Sequence, residues 1–120
     1  MKESTKRILE SFCKKEDLSI DYSEYHGFYN EQTIKKGRSN KYCAVCGDTI
    51  PVGEHHFVET DCSCSWPMHV ICRNIAWQLF EKYNPEDVSG GGIEDFWGTE
   101  EISDCIDELQ EKVENGEDYE

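Results

Sequence analysis

The sequence is poor in positive charge, in apolar residues and in long hydrophobic runs. Twelve Lys and Arg stand against 26 Asp and Glu in 120 residues, a formal net charge of −14. That balance excludes a typical basic nucleic-acid binder. No stretch approaches the roughly 18 consecutive apolar residues of a membrane-spanning helix, so a helical membrane protein is excluded as well. The opening MKESTKRILESF lacks an apolar signal-peptide core and points to the cytoplasm. Apolar residues make up 37% of the chain and charged ones 32%, so a single domain over 1–120 must fold around a lean core.

Cysteine, by contrast, is plentiful. Seven Cys is an odd number, which argues against a secreted disulfide scaffold, and in a reducing compartment clustered Cys read as metal ligands first. Cys43-Ala44-Val45-Cys46-Gly47 is followed by His69-Val70-Ile71-Cys72, with 22 residues between Cys46 and His69. Two thiolates at this spacing can turn around one ion, and Gly47 supplies the backbone freedom of a tight turn. His69 and Cys72, three apart on a helix, project from one face. Cys43, Cys46, His69 and Cys72 thus form a Cys3His set, which fills a tetrahedral shell around Zn2+ and leaves no position for a catalytic water. Cys62 and Cys64 are alternates: either can replace His69, or both can join His55 or His56 around a second ion.

These residues resemble a treble-clef zinc finger of the Cys-x2-Cys…His-x2-Cys, PARP-like type. The resemblance covers 42–83 and implies a small zinc-stabilised core. Cys43 and Cys46 would lie in a zinc knuckle, Ile50–Val58 in a β-hairpin, and His69 and Cys72 in the first turn of a helix. DNA binding does not carry over, because the segment is acidic and holds one Arg.

The fold class expected is α+β, with helices flanking the zinc-binding core. Ser4 or Thr5 can cap a helix through Lys15, with Ile8, Leu9, Phe12 and Cys13 on one side. Leu18, Ile20 and Tyr22 alternate with Ser19 and Asp21 at strand period. Tyr22, Tyr25, Phe28 and Tyr29 crowd around His26 as core or core rim. Lys35–Lys41 is a basic loop. Ile71, Ile75, Leu79 and Tyr83 predict a helix from Met68 to Tyr83, with Pro67 suited to its first turn. Residues 84–98 read as a linker whose hinge is Ser89-Gly90-Gly91-Gly92. Over 99–120, Ile102, Cys105, Ile106, Leu109 and Val113 mark the buried face of an acidic helix, with Thr99 as N-cap and Asn115-Gly116 as its stop.

The charge is concentrated at one end. Residues 81–120 carry Lys82 and Lys112 against fifteen acidic side chains, almost the whole excess. Such a block repels nucleic acid and attracts basic partners. Enzyme readings find little support. A zinc deaminase needs His-x-Glu, whereas His69 is followed by Val70-Ile71 and no acid, and nothing supplies the second catalytic His of an HNH-type nuclease. A non-enzymatic protein-binding module is the expectation, with Phe96, Trp97, Glu100, Glu101 and Asp104 as partner-binding residues. In size and acidity the chain is similar to phage- or prophage-type inhibitors, which implies a larger host or defence enzyme as partner. A DNA mimic or nucleic-acid-related regulator acting through the acidic surface is the alternative, and direct nucleic-acid binding is not expected.

Overall fold

The computed structural model describes residues 1–22, 31–34, 40–61, 64–84 and 93–119, and within 31–34, 60–61, 64 and 93–95 only the backbone. The elements run α1 (Glu3–Glu16), β1 (Glu31–Ile34), β2 (Lys41–Tyr42), β3 (Thr49–Ile50), β4 (His56–Asp61), β5 (Cys64–His69), α2 (Val70–Tyr83), α3 (Ile93–Gly98) and α4 (Glu100–Asn115). This is a small α+β fold. No helix among the described residues is long and apolar enough to cross a membrane.

Helix α1 places Ile8, Leu9, Phe12 and Cys13 on one buried side. It starts two or three residues earlier than its Ser4 or Thr5 cap would require: Lys2 is the N-cap, and Thr5 is buried inside the helix. At its end, Asp17 takes the left-handed conformation (φ 58), and the Leu18 N–H donates to the Cys13 carbonyl at 2.8 Å. Gly116 (φ 69) closes α4 the same way, with the Glu117 N–H on the Lys112 carbonyl at 2.9 Å. The apolar faces of α1 and α4 (Ile102, Ile106, Leu109, Val113) meet α2 residues Ile71, Ile75, Ala76, Leu79 and Phe80 in one cluster. Val45, Ile50, Met68 and Phe96 complete it.

Two antiparallel sheets lie beside these helices. In one, β4 is central between β1 and β5, with Glu59 opposite Trp66 and His56 opposite His69. In the other, β2 pairs β3, with Lys41 opposite Ile50 and Tyr42 opposite Thr49.

Several sequence expectations need correction. Leu18–Tyr22 is not a strand. Its backbone is held by α2 side chains instead: Gln78 exchanges bonds with the Ser19 N–H and carbonyl (2.8 and 3.0 Å), and Asn74 donates to the Asp21 carbonyl (2.8 Å). Ile20 and Tyr22 are exposed. Pro67 does not open α2 but lies in β5, and the helix begins at Val70. The Pro67 carbonyl points away from β4 and accepts from the Ala44 N–H at 2.7 Å. Its ring nitrogen lies on the same outer edge, so the ladder loses no donor.

The hairpin expected over Ile50–Val58 is displaced. Ile50 pairs with Lys41, residues 51–54 turn, and the longer hairpin is β4–β5. Part of the expected 84–98 linker is helical, since Ile93–Gly98 forms α3 and buries Phe96. The triple glycine, the aromatic residues 25–29 and the basic residues 35–38 lie outside the described residues.

Candidate metal centre

The residues from Cys43 to Asp48 form the turn that joins β2 to β3. The Cys43 N–H donates to the Asp48 carbonyl and the Gly47 N–H to the Cys43 carbonyl, both at 2.9 Å. Gly47 sits at φ 81, the conformation its lack of a Cβ permits. The turn brings Cys43 and Cys46 to one point. At the far end of β5, His69 is the N-cap residue of α2 and Cys72 stands in its first turn. The β5–α2 junction therefore presents the second pair to the first.

All four side chains are buried, and their donor atoms lie within 4.8 Å of one another. The Nδ1 atom of His69 is 3.4 Å from Cys46 Sγ and 3.7 Å from Cys72 Sγ. Tetrahedral coordination with Zn–S of about 2.3 Å and Zn–N of about 2.0 Å sets an S···N edge of about 3.5 Å. The two observed separations bracket it. Cys43, Cys46, His69 and Cys72 can therefore hold a metal ion, and the set is compatible with zinc.

Protonation reflects the same crowding. Burial opposes ionisation of Cys43, yet hydrogen bonds from Cys46, Cys72 and His69 hold its thiol well below the ordinary range. Burial, reinforced by hydrogen bonds with Cys43 and Cys46, pushes Cys72 well above it. Cys46 is pushed up as well, first by its hydrogen bond with Cys43. Burial is the largest influence on His69 and disfavours its charged form, but the hydrogen bond and charge of Cys43, with the Thr49 carbonyl and the Glu54 charge, together outweigh it and raise the pKa. One thiolate ringed by proton donors is the arrangement a divalent cation replaces.

The second imidazole nitrogen is also engaged. His69 Nε2 lies 3.2 Å from the Thr49 carbonyl, which assigns a proton to Nε2 and makes Nδ1 the nitrogen that faces the thiols. The cysteine turn is held from three directions. Ala44 is tied to β5 at Pro67, and the Gln110 side chain of α4 donates to the Ala44 and Val45 carbonyls at 3.1 and 3.2 Å. The Asp48 carboxylate accepts the N–H groups of Lys2 (3.0 Å) and Thr49 (2.8 Å), fastening the start of α1 to the turn. Sequence spacing did not single out Asp48, Thr49 or Gln110, because each acts through a partner set by tertiary structure.

Cys62 lies outside the described residues, and Cys64 opens β5 with only its backbone described. His56 is buried with Nδ1 3.0 Å from the Glu54 carbonyl. Cys105, expected as a buried small hydrophobe, is half-buried, with Sγ 3.7 Å from Glu16 Oε1.

The residues expected to bind a partner divide into two groups. Phe96 is fully buried, so it supports the surface from beneath rather than contacting anything outside. Trp97 is half-buried, set edge-on to Phe96 at 4.8 Å and beside the half-buried Trp66 at 5.6 Å. Glu100, Glu101 and Asp104 are exposed on the first turns of α4.

The chain matches no protein-family model, no curated protein and no solved structure.

Proposed function

We propose that this chain is a non-enzymatic, zinc-stabilised protein-binding module of the treble-clef type: a small acidic cytoplasmic inhibitor, similar to phage- or prophage-type inhibitors, that binds and blocks a larger host or defence enzyme. The observation that carries the reading is the closed donor set. Four buried protein ligands converge on one point, which favours a structural ion over one that activates water. The order of cysteine turn, β4–β5 hairpin and ligand-bearing α2 start supports the treble-clef assignment.

The binding surface in this reading is the head of α4. Trp97 is the aromatic anchor, with Trp66 beside it, and Glu100, Glu101 and Asp104 form an acidic rim. Affinity capture with the tagged, zinc-loaded chain, read by mass spectrometry, tests the proposal. A single enzyme retained by the parent protein, inhibited by it, and lost with Trp97→Ala is the expected result. Hydrolase, nuclease or deaminase turnover that depends on Cys43, Cys46, His69 or Cys72 would contradict it.

A DNA-mimic reading is favoured by one feature. Glu100, Glu101, Asp104, Asp107, Glu108, Glu111 and Glu114 are all exposed along α4, opposite its buried stripe. Seven charges over about 21 Å of helix average about 3.5 Å each, close to the roughly 3.4 Å per charge along one DNA strand. A DNA-binding partner displaced from DNA by this chain is the outcome that would select it.

A further inference from the structure

The turn between β3 and β4 carries a carboxylate that coordination by the four donors does not use. Residues Pro51–Glu54 form a type II turn: the Glu54 N–H donates to the Pro51 carbonyl at 3.1 Å, and Gly53 takes φ 89. The Glu54 carbonyl is engaged by the His56 ring at 3.0 Å. With its backbone fixed on both sides, Glu54 directs its side chain at His69. Oε2 is 3.7 Å from His69 Nε2, and this oxygen is buried with no hydrogen-bond partner. Oε1 is 3.6 Å from the Met1 amine.

We propose that Glu54 is the positioning residue of the metal centre, sharing the His69 Nε2–H with the Thr49 carbonyl so that the ring is locked with Nδ1 towards the ion. The proposal rests on the metal reading above. Two observations carry it. A buried carboxylate oxygen without a donor is costly, and the imidazole Nε2 stands 3.7 Å from it. That N–H already has one partner at 3.2 Å, a long bond that leaves room for a second acceptor. When Nδ1 gives its lone pair to a cation, positive charge spreads to Nε2–H and strengthens its attraction to both oxygens. Aspartate and glutamate partners of metal-bound imidazoles act in this way, and their loss costs about 10- to 100-fold in metal affinity. The competing role for Glu54 is to tie down the Met1 amine alone.

The test compares the parent chain, Glu54→Gln, Glu54→Ala and an N-terminally acetylated chain, each loaded with Zn2+. Affinity is read by competition with a colorimetric chelator, and the His69 ring by its proton–nitrogen resonances. Glu54→Ala should lose about tenfold in zinc affinity and shift the Nε2–H resonance while still binding one zinc. Glu54→Gln, which keeps an oxygen but no charge, should lose less. Acetylation should leave affinity unchanged. An unchanged affinity in Glu54→Ala overturns the proposal, as does an equal loss on acetylation, which would place the effect in the amine. A parent chain that takes up no zinc overturns the metal reading itself, and this proposal with it.

Discussion

Gln110 on α4 donates its side-chain amide to the Ala44 carbonyl at 3.1 Å, tying the acidic helix to the turn that carries Cys43 and Cys46. The same amide reaches the Val45 carbonyl at 3.2 Å. Ion binding and the docking of α4 are thereby linked: anything that reshapes the cysteine turn disturbs the acceptors of Gln110. Replacing Gln110 with Ala should lower stability by about 1–2 kcal/mol through the two carbonyls left without a donor. Zinc affinity should fall along with it. Denaturant unfolding with and without chelator checks both effects; equal losses in the loaded and stripped protein would show that the two are uncoupled.

Substituting any of Cys43, Cys46 or Cys72 by Ser should abolish stoichiometric zinc binding and release the residues around the β2–β3 turn and the start of α2. Structural zinc ligation supplies on the order of 10 kcal/mol in small fingers, so the loss is larger than a core substitution produces. Cys62→Ser and Cys64→Ser should keep full occupancy. Zinc retained in His69→Ala but lost in Cys64→Ser would move the fourth ligand to Cys64. Inductively coupled plasma mass spectrometry on the purified variants gives the answer.

Acid should strip the ion. The pKa values of Cys46 and Cys72 are raised, so both enter neutral solution protonated, whereas that of Cys43 is lowered and it is already a thiolate. Metal binding must then expel about two thiol protons, with a further contribution from His69, whose pKa is also raised. The loaded state binds fewer protons than the stripped one, so affinity falls as pH falls, by about 100-fold per unit around neutrality. Calorimetry in buffers of different ionisation enthalpy counts the protons. Release of none would contradict the assignment of these groups as ligands.

Two variants separate the readings of the acidic face. A specific interface predicts that Trp97→Ala costs about 2 kcal/mol or more in partner affinity, while neutralising Glu100, Glu101, Asp104, Asp107 and Glu108 mainly slows association. A DNA mimic predicts the reverse, with affinity falling steeply as salt rises and Trp97 contributing little. Surface plasmon resonance at low and high salt distinguishes them.

The ligand pairs were legible in the sequence because their chemistry depends on local spacing. Cys43 and Cys46 meet through one turn, and His69 and Cys72 through one helical start. Helix α4 was legible for the same reason, since Ile102, Ile106, Leu109 and Val113 follow the helical period. What sequence alone misread depended on distant partners. The alternation of Leu18, Ile20 and Tyr22 imitates a strand, but Asn74 and Gln78, more than 50 residues away, take up its backbone groups. Pro67 imitates a helix start, and only the neighbouring Ala44 shows why an edge strand tolerates it. Asp48 and Gln110 obey no spacing rule, for their targets lie 46 and 66 residues away. Phe96 and Trp97 are adjacent in sequence, yet the packing of α3 buries one and leaves the other half-exposed.

X-ray absorption fine structure at the zinc edge of the purified chain tests the central claim most directly. The account predicts one zinc surrounded by three sulfur atoms at about 2.3 Å and one nitrogen at about 2.0 Å, with no water oxygen in the shell. Two or fewer sulfurs, a bound water, or protein that takes up no zinc would contradict it.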